Sequence, residues 1–553
     1  MPPNVIIILT DDQGYGDLGC HGNPVIRTPD LDALHAASVC LTDFHVAPTC
    51  SPTRAGLMTG RNCNRTGVWH TIMGRSILRR DEVTMAEVFR DSGYRTGIFG
   101  KWHLGDNYPS RPQDKGFEEA LIHKGGGVGQ TPDLWGNDYT DDTYFHDGVP
   151  EPQQGYCTDV FFDAAMRFIE DSRDRPFFAY IATNAPHQPY NIAETWVQPY
   201  HDAGVEEGLA RFYGTIGNID SNVGRLMAHL DALGLAEDTI LIFMTDNGTG
   251  DQGYNAGMRG RKGSQYDGGH RVPCFVRWPG GGLAPAGSDV TRLTAHLDML
   301  PTLAELCGLT LPDGVRLDGV SIAPLLRDPL SEWTDRTIVV DSQRVEHPEM
   351  WRASAVMTER WRLIDGKELY DIQADPGQAT DIARAHPEVV AELRAAYEAW
   401  WEDVSSRFGE CCAIVVGSER ENPSHLTCHD WHEADCPWNQ DMIREGNVAN
   451  GFWAIEVAAA GEYEVSLRRW PEEADTPTNA AVEGGVAIRA TEARLKVGDV
   501  DVRQAISEGA RASVFRVSLP LGKTTMQTWF TGDTGEDRGA YYVTVRRLPA
   551  SPL

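Results

Sequence analysis

Two short apolar runs in this chain end in the same way, and that echo constrains the fold more than any other feature. Residues 5–9 (VIIIL) run into Thr10, Asp11, Asp12, Gln13 and Gly14, and residues 240–244 (ILIFM) run into Thr245, Asp246, Asn247 and Gly248. Uninterrupted Ile/Leu-rich runs of this length read as strands buried on both faces of a mostly parallel sheet. In open α/β sheets, ligands lie beyond the carboxyl ends of the strands. If the two strands are neighbours, Asp11, Asp12, Asp246 and Asn247 place four oxygen donors on one rim.

Further strands are expected at residues 96–99, 177–182 and 273–277, with amphipathic helices at 84–92, 160–171 and 216–233. That alternation predicts an α/β fold, a large, mostly parallel sheet sandwiched by helices, over residues 1–335. From about residue 337 the texture changes to short segments, 361–364 and 368–372, followed by a helix over 387–408, which reads as a small sheet-plus-helix subdomain at 336–408. Beyond Gly409, two-residue alternation at 453–457, 463–469, 514–519 and 541–547 predicts a mainly β appendage, residues 409–553. A chain of 553 residues is long enough for several cores of this kind.

The net charge of −31, from 80 acidic against 49 basic side chains, disfavours nucleic acid and anionic membrane surfaces as partners. An anionic substrate must instead be drawn in locally by a cation-lined cleft. No apolar run is long enough to span a bilayer, and residues 5–9 are too short for a signal-peptide core, so the chain as written reads as cytoplasmic, or as periplasmic or secreted if a leader was trimmed. The eleven cysteines are mostly scattered singly, which suits reduced thiols better than a disulfide framework. A homo-oligomer is compatible with all of this.

The sharpest local signal is Cys50-Ser51-Pro52-Thr53-Arg54, continuing Ala55-Gly56-Leu57-Met58-Thr59-Gly60-Arg61. Proline after a Cys-Ser pair suits the first turn of a helix, which puts Cys50 at the positive end of that helix, where an anion is stabilised. Arg54 follows one turn on. A cysteine taken alone is more often a buried apolar residue, and the surroundings decide otherwise.

The segment resembles the signature of the formylglycine-dependent sulfatases, Cys-x-Pro-x-Arg with a Leu-Thr-Gly-Arg-like ending. Thr53 stands where many members have Ser, and Met58 begins the ending. The resemblance continues in family order. Asp11 and Asp12 match the first pair of metal-binding residues, and Asp246 and Asn247 the second. Gly100-Lys101-Trp102-His103-Leu104-Gly105 matches the element that contributes a catalytic Lys and His, and Ala185-Pro186-His187-Gln188-Pro189 carries the next histidine. Lys262 matches the lysine that contacts the departing ester oxygen.

The resemblance implies a sulfatase of the arylsulfatase-like type, with an alkaline-phosphatase-like fold. Cys50 would be converted by a formylglycine-generating maturation enzyme to 3-oxoalanine, and its hydrate would join Asp11, Asp12, Asp246 and Asn247 around Ca²⁺, with Mg²⁺ as the alternative. One hydroxyl of the hydrate attacks sulfur. Arg54, Lys101 and Lys262 supply fixed positive charge, and His187 or Lys262 serves the leaving oxygen. His103 deprotonates the second hydroxyl so that sulfate is expelled.

Two other readings stay open at this level: a phosphate or phosphonate ester hydrolase of the same superfamily, and an inactive protein that binds sulfated ligands. The natural ester, whether aryl, sugar or alkyl, is not legible. Trp69, His70, Asp133, Trp135, Tyr190 and His270 are candidate pocket residues. Cys411, Cys412, Cys428 and Cys436, near His425, His429 and His432, do not follow common zinc spacings. Free thiols or one local disulfide are expected there.

Overall fold

A computed structural model describes residues 2–433, 435–532, 535 and 537–549. Its largest sheet is built from β1 (Asn4–Thr10), β2 (Val39–Leu41), β3 (Arg95–Lys101), β4 (Glu119–His123), β5 (Thr143–His146), β6 (Val149–Pro152), β7 (Phe177–Ala182), β8 (Thr239–Thr245), β9 (Cys274–Arg277) and β10 (Asp289–Val290). Across the sheet the order is β10-β2-β9-β8-β1-β7-β3-β4-β5-β6. The central strands β8, β1, β7, β3 and β4 are parallel, and β9, β5 and β6 add antiparallel pairings toward the edges.

Alternation along β1 shows why the sheet is sandwiched. Val5, Ile7 and Leu9 pack into one buried layer with the Cys50–Thr59, Met85–Asp91 and Met299–Cys307 helices. Ile6 and Ile8 point to the opposite layer, covered by Pro29–Ala36, Cys157–Asp171 and Glu207–Leu233. Both faces need apolar side chains, so the strand shows no polar alternation. The longest helix begins nine residues before the expected 216, because the Glu206 side chain caps it by accepting from the Leu209 N–H. Its first turns are more polar and carry a weaker periodic signal.

The expected small subdomain is an antiparallel sheet of β11 (Ile338–Asp341), β12 (Ser354–Met357), β13 (Trp361–Ile364) and β14 (Glu368–Asp371). The Pro387–Val404 helix covers one face through Leu393 and Tyr397. Arg362, fully buried, ties this sheet to the catalytic layer through Asp43 at 2.9 Å and Asp267 at 3.2 Å.

Beyond residue 409 two further sheets enclose one core in which Trp431, Trp453, Tyr463 and Phe530 are buried. Phe452–Val457 alternates half-buried and buried residues, the pattern of a strand with one face in a core. Ile77 belongs to this same core, and Met73 and Trp135 pack against it, so loops of the catalytic layer penetrate the β appendage. Among the described residues the cysteines form no disulfide. Among the described residues no helix is long and apolar enough to cross a membrane.

Candidate active site

β1 and β8 are direct parallel neighbours, with Thr10 opposite Thr245. That register delivers Asp11 and Asp246 to adjacent positions on one rim, as the strand-end echo implied. The backbone N–H of Asp12 donates to Asp246 Oδ1 at 3.1 Å, locking the two strand ends together. Asp12 takes a left-handed backbone conformation, φ 69°, which turns the chain sharply at the rim.

Cys50 is the first residue of the Cys50–Thr59 helix and is 3% exposed. Thr53 Oγ donates to the Ala47 carbonyl at 2.9 Å and Ser51 Oγ to the His103 carbonyl at 3.0 Å. These bonds fix the helix start against the loop after β3. Gly56 is required inside the helix because a Cβ there would sit 2.3 Å from His296 Nε2. Cys50 Sγ and one carboxylate oxygen each from Asp11 and Asp246 lie within 4.8 Å of one another.

Three cations close the site, each on one acid. Lys101 Nζ lies 2.5 Å from Asp11 Oδ2, Arg54 Nη2 lies 2.9 Å from Asp246 Oδ2, and Lys262 Nζ lies 2.6 Å from Asp12 Oδ1. Arg54 also donates to the Lys101 carbonyl at 2.8 Å. Burial and the nearby charge of Asp11 push the Asp246 carboxyl up to about 7. Burial alone would raise Asp12 too, but the Lys262 charge and the hydrogen bonds from Lys262 and Asn247, with His187 beside them, together hold Asp12 far below the usual carboxylate range. Burial pushes the Cys50 thiol up despite Lys101 and Lys262.

The two predicted histidines are oriented by backbone carbonyls. His103, held at φ 60°, donates from Nε2 to the Thr71 carbonyl at 2.8 Å, leaving Nδ1 without a partner. Burial first, then Lys101 and His429, depress its pKa well below the ordinary value, so the ring is neutral and Nδ1 carries a lone pair. His187 donates from Nδ1 to the Gln188 carbonyl at 2.6 Å and turns Nε2 toward Asp12, 3.8 Å away. Burial and Lys262 bring its pKa down to about 4.

The donor set suits a hard dication. Asp11 Oδ1 and Asn247 Oδ1 are buried without a hydrogen-bond partner, while Asn247 Nδ2 is spent on Asp12 and Gly248. Unpaired buried oxygens are costly unless a ligand satisfies them. Asp11, Asp12, Asp246 and Asn247 can therefore hold Ca²⁺ or Mg²⁺.

The pocket candidates fare unevenly. Tyr190 lines the cleft beside His187. Trp69 is buried and bonds Val345, His70 is buried with Nδ1 accepting from the Thr71 N–H, and His270 is buried against His45. Asp133 is 3% exposed and accepts from Gly129 and Asn137, and Trp135 packs edge-on against Trp470. These five are engaged within the fold, with Asp133 also lining a smaller cavity beside Lys124 and His425; the facing of an isolated aromatic or histidine carries no sequence signal.

Other residues at the site had no legible signal. His429, from the β appendage, is buried with its ring 6.1 Å from that of His103 and its Nε2 unpartnered. Gly126 passes so close to His103 that a Cβ would meet its Cε1 at 2.5 Å. Near the appendage cysteines, Cys411 Sγ lies 3.9 Å and Glu346 Oε1 2.9 Å from His432 Nδ1. These three could together hold a metal ion, in a combination that local cysteine spacing does not reveal.

The sulfatase family profile matches residues 3–309, and that of the N-sulphoglucosamine sulphohydrolase C-terminal region matches residues 261–401. Human arylsulfatase A is 35% identical over 360 residues, covering 59% of this chain and 68% of its own length. Mouse steryl-sulfatase is 30% identical, covering 63% and 66%. The solved structure of Ps i-CgsB in complex with k-i-k-neocarrahexaose superposes with a TM-score of 0.68 at 25% identity, covering 74% of this chain and 95% of that one. Phosphonate monoester hydrolase of Agrobacterium radiobacter shares the fold, with a TM-score of 0.53 at 23% identity over 71% of this chain and 96% of its own. With the profile spanning more than half of the chain and the rim acids, Cys50 and the cations gathered at one site, this protein belongs to the sulfatase family and is a sulfuric ester hydrolase of the alkaline-phosphatase-like superfamily.

Proposed function

We propose that this sulfatase hydrolyses a sulfate monoester to inorganic sulfate and an alcohol or phenol through a nucleophile made from Cys50. The observation that carries the reading is the placement of Cys50 at a buried helix N-terminus, with Asp11 and Asp246 donors within 4.8 Å. As a thiol, Cys50 is a poor nucleophile here, because burial disfavours its ionisation. Oxidised to an aldehyde hydrate beside a Ca²⁺ or Mg²⁺ ion, residue 50 would supply a hard oxygen nucleophile and the ion would polarise the ester.

The chain's own residues do the rest. Asp11, Asp12, Asp246 and Asn247 would hold the ion. Arg54 and Lys101 are already bonded within the rim, and together with Lys262 they offset charge on the sulfate oxygens. Lys262, whose ammonium is kept charged by Asp12 against the penalty of burial, is the proton donor to the leaving oxygen. His187 presents a lone pair at Nε2, so it does not protonate the leaving oxygen but accepts a hydrogen bond from the departing hydroxyl once Lys262 has protonated it. His103 Nδ1 is the base for the step that frees sulfate.

Because Cys50 is only 3% exposed, a maturation enzyme must reach it before the chain folds. The test is the mass of the peptide containing residue 50, with loss of the thiol sulfur and gain of an aldehyde oxygen expected in active protein. Cys50→Ala should abolish turnover of 4-nitrophenyl sulfate while the circular dichroism spectrum is kept. Retained turnover would overturn the mechanism.

A further inference from the structure

Beside His187 opens a cleft of about 610 Å³, within the size range of clefts that enclose drug-sized organic ligands. One wall comes from the catalytic layer, with Tyr139 and Tyr190. The facing wall comes from the β appendage, with Trp438, Asn439 and Arg444. This second wall lies beyond residue 401, where the family profiles end.

The appendage wall is pinned in place. Thr131 donates from its backbone N–H to the Trp438 carbonyl at 3.0 Å and from Oγ to the Pro437 carbonyl at 2.7 Å. The Gln440 side chain is fully engaged, with Nε2 donating to the Leu134 carbonyl at 3.0 Å and Oε1 accepting from the Gly136 N–H at 3.0 Å. The loop that receives these bonds is the one whose Gly126 touches His103. The wall therefore stands in fixed register with the reaction centre.

The chemistry of the cleft selects its occupant. Trp438 is 39% exposed although its backbone is held, so its indole offers a flat apolar face to the cleft's contents. Asn191 and Asn439 add neutral amide groups along the same cleft, each with one end bonded within the fold, Asn191 Nδ2 to the Asp138 carbonyl at 3.2 Å and Asn439 Oδ1 to the Met442 N–H at 2.9 Å, so that Asn191 Oδ1 and Asn439 Nδ2 face the occupant's hydroxyls. Arg444 is neutralised by Asp441 at 2.7 Å and stacks on Trp135 at 4.7 Å, so the wall does not favour a densely anionic polymer. An apolar ring face beside one amide acceptor and one amide donor matches a polyhydroxylated ring, whose C–H face stacks on indole while its hydroxyls bond to the amide ends of Asn191 and Asn439.

We infer that the β appendage forms the leaving-group subsite, and that the group it holds is a hydroxyl-rich saccharide bearing the sulfate, with Trp438 as its platform. This rests on the sulfatase reading. The experiment uses full-length protein produced beside a maturation enzyme, with conversion of residue 50 verified by mass. Turnover is compared on 4-nitrophenyl sulfate and on galactose 4-sulfate, galactose 6-sulfate, N-acetylglucosamine 6-sulfate and disaccharides carrying them.

At least one sulfated saccharide should be hydrolysed with a higher kcat/KM than 4-nitrophenyl sulfate. Trp438→Ala should lower that saccharide's kcat/KM at least about tenfold more than it lowers that of 4-nitrophenyl sulfate, chiefly through KM, as expected for loss of a stacking anchor. Trp438→Phe, which keeps a flat face, should recover most of the loss. Equal losses on both substrates, or aryl turnover with no saccharide turnover, would overturn the subsite. Converted wild-type protein inactive on every sulfate ester would overturn the sulfatase mechanism, and the subsite with it.

Discussion

His103 donates through Nε2 to the carbonyl of Thr71 at 2.8 Å, and this single bond decides which nitrogen can act as a base. A carbonyl can only accept, so Nε2 holds the proton and Nδ1 holds the lone pair, kept neutral by burial. His103→Ala should leave sulfur attack intact and slow the later release step, lowering steady-state kcat by about 10²–10⁴-fold. Rapid mixing with 4-nitrophenyl sulfate should then give a burst of phenol stoichiometric with enzyme. Linear progress without a burst would remove His103 from the second step.

The rim acids make a prediction that does not depend on turnover. Asp11 Oδ1 and Asn247 Oδ1 are buried and unpaired, so an ion that satisfies them binds the folded state alone. Adding Ca²⁺ to chelator-treated protein should raise Tm, with about 2.7 kcal/mol of stabilisation at one hundred times Kd. Asp11→Asn should remove most of that rise, as should Asp246→Asn. A Tm indifferent to both Ca²⁺ and Mg²⁺ in wild-type protein would exclude the rim as a metal site.

What could be read from the chain, and what could not, follows from how far apart the cooperating residues lie. The strand ends at Asp11 and Asp246 were legible because an apolar run and the acids after it are contiguous. So were the one-sided strands of the appendage, since Phe452–Val457 writes its burial in a two-residue period. Trp438, Gln440 and His429 were not. Gln440 bonds to residues some three hundred positions earlier, and His429 reaches His103 only because the appendage folds back over the loops at Met73 and Ile77. The facing of the pocket candidates was illegible for the same reason, since the direction of a lone aromatic is a tertiary property.

A pH-dependent contact joins the small subdomain to the appendage. His432 Nδ1 and Glu346 Oε1 are 2.9 Å apart, and Arg75 adds a second cation at 2.8 Å. Burial would lower the His432 pKa, but its hydrogen bonds with Cys411 and Glu346 raise it to about 9. Burial would raise Glu346, but His432 and Arg75 bring it down to about 2. The raised histidine contributes stability that is full below 6.5 and lost as pH climbs through 9. The depressed carboxyl contributes stability that is full above 4.5 and lost as pH falls through 2. The stability gap between wild type and Glu346→Gln should therefore peak between pH 4.5 and 6.5, at about 1.5–3 kcal/mol, and narrow on either side in chemical denaturation. A gap independent of pH would show that the contact is not ionic.

Gly126 tests whether the loop carrying the appendage wall also sets the catalytic histidine. A Cβ at this position would lie 2.5 Å from His103 Cε1 and 2.7 Å from Nε2. The ring cannot simply move aside, because Nε2 is anchored on Thr71 and the backbone of His103 is held in the left-handed region. Gly126 does not share that backbone constraint, so alanine there is opposed by the ring and by Gln130 Oε1, which the Cβ would meet at 2.9 Å. Gly126→Ala should lower kcat by about tenfold to a hundredfold, since a displacement of roughly 1 Å at a catalytic group costs about that much. The cost to overall stability should be small beside it, within the range of an overpacked core site at about 1–3 kcal/mol. Measured together, kcat and Tm separate the two effects: a kcat within twofold of wild type would mean that the loop can yield, and that His103 is positioned by Thr71 without help from Gly126.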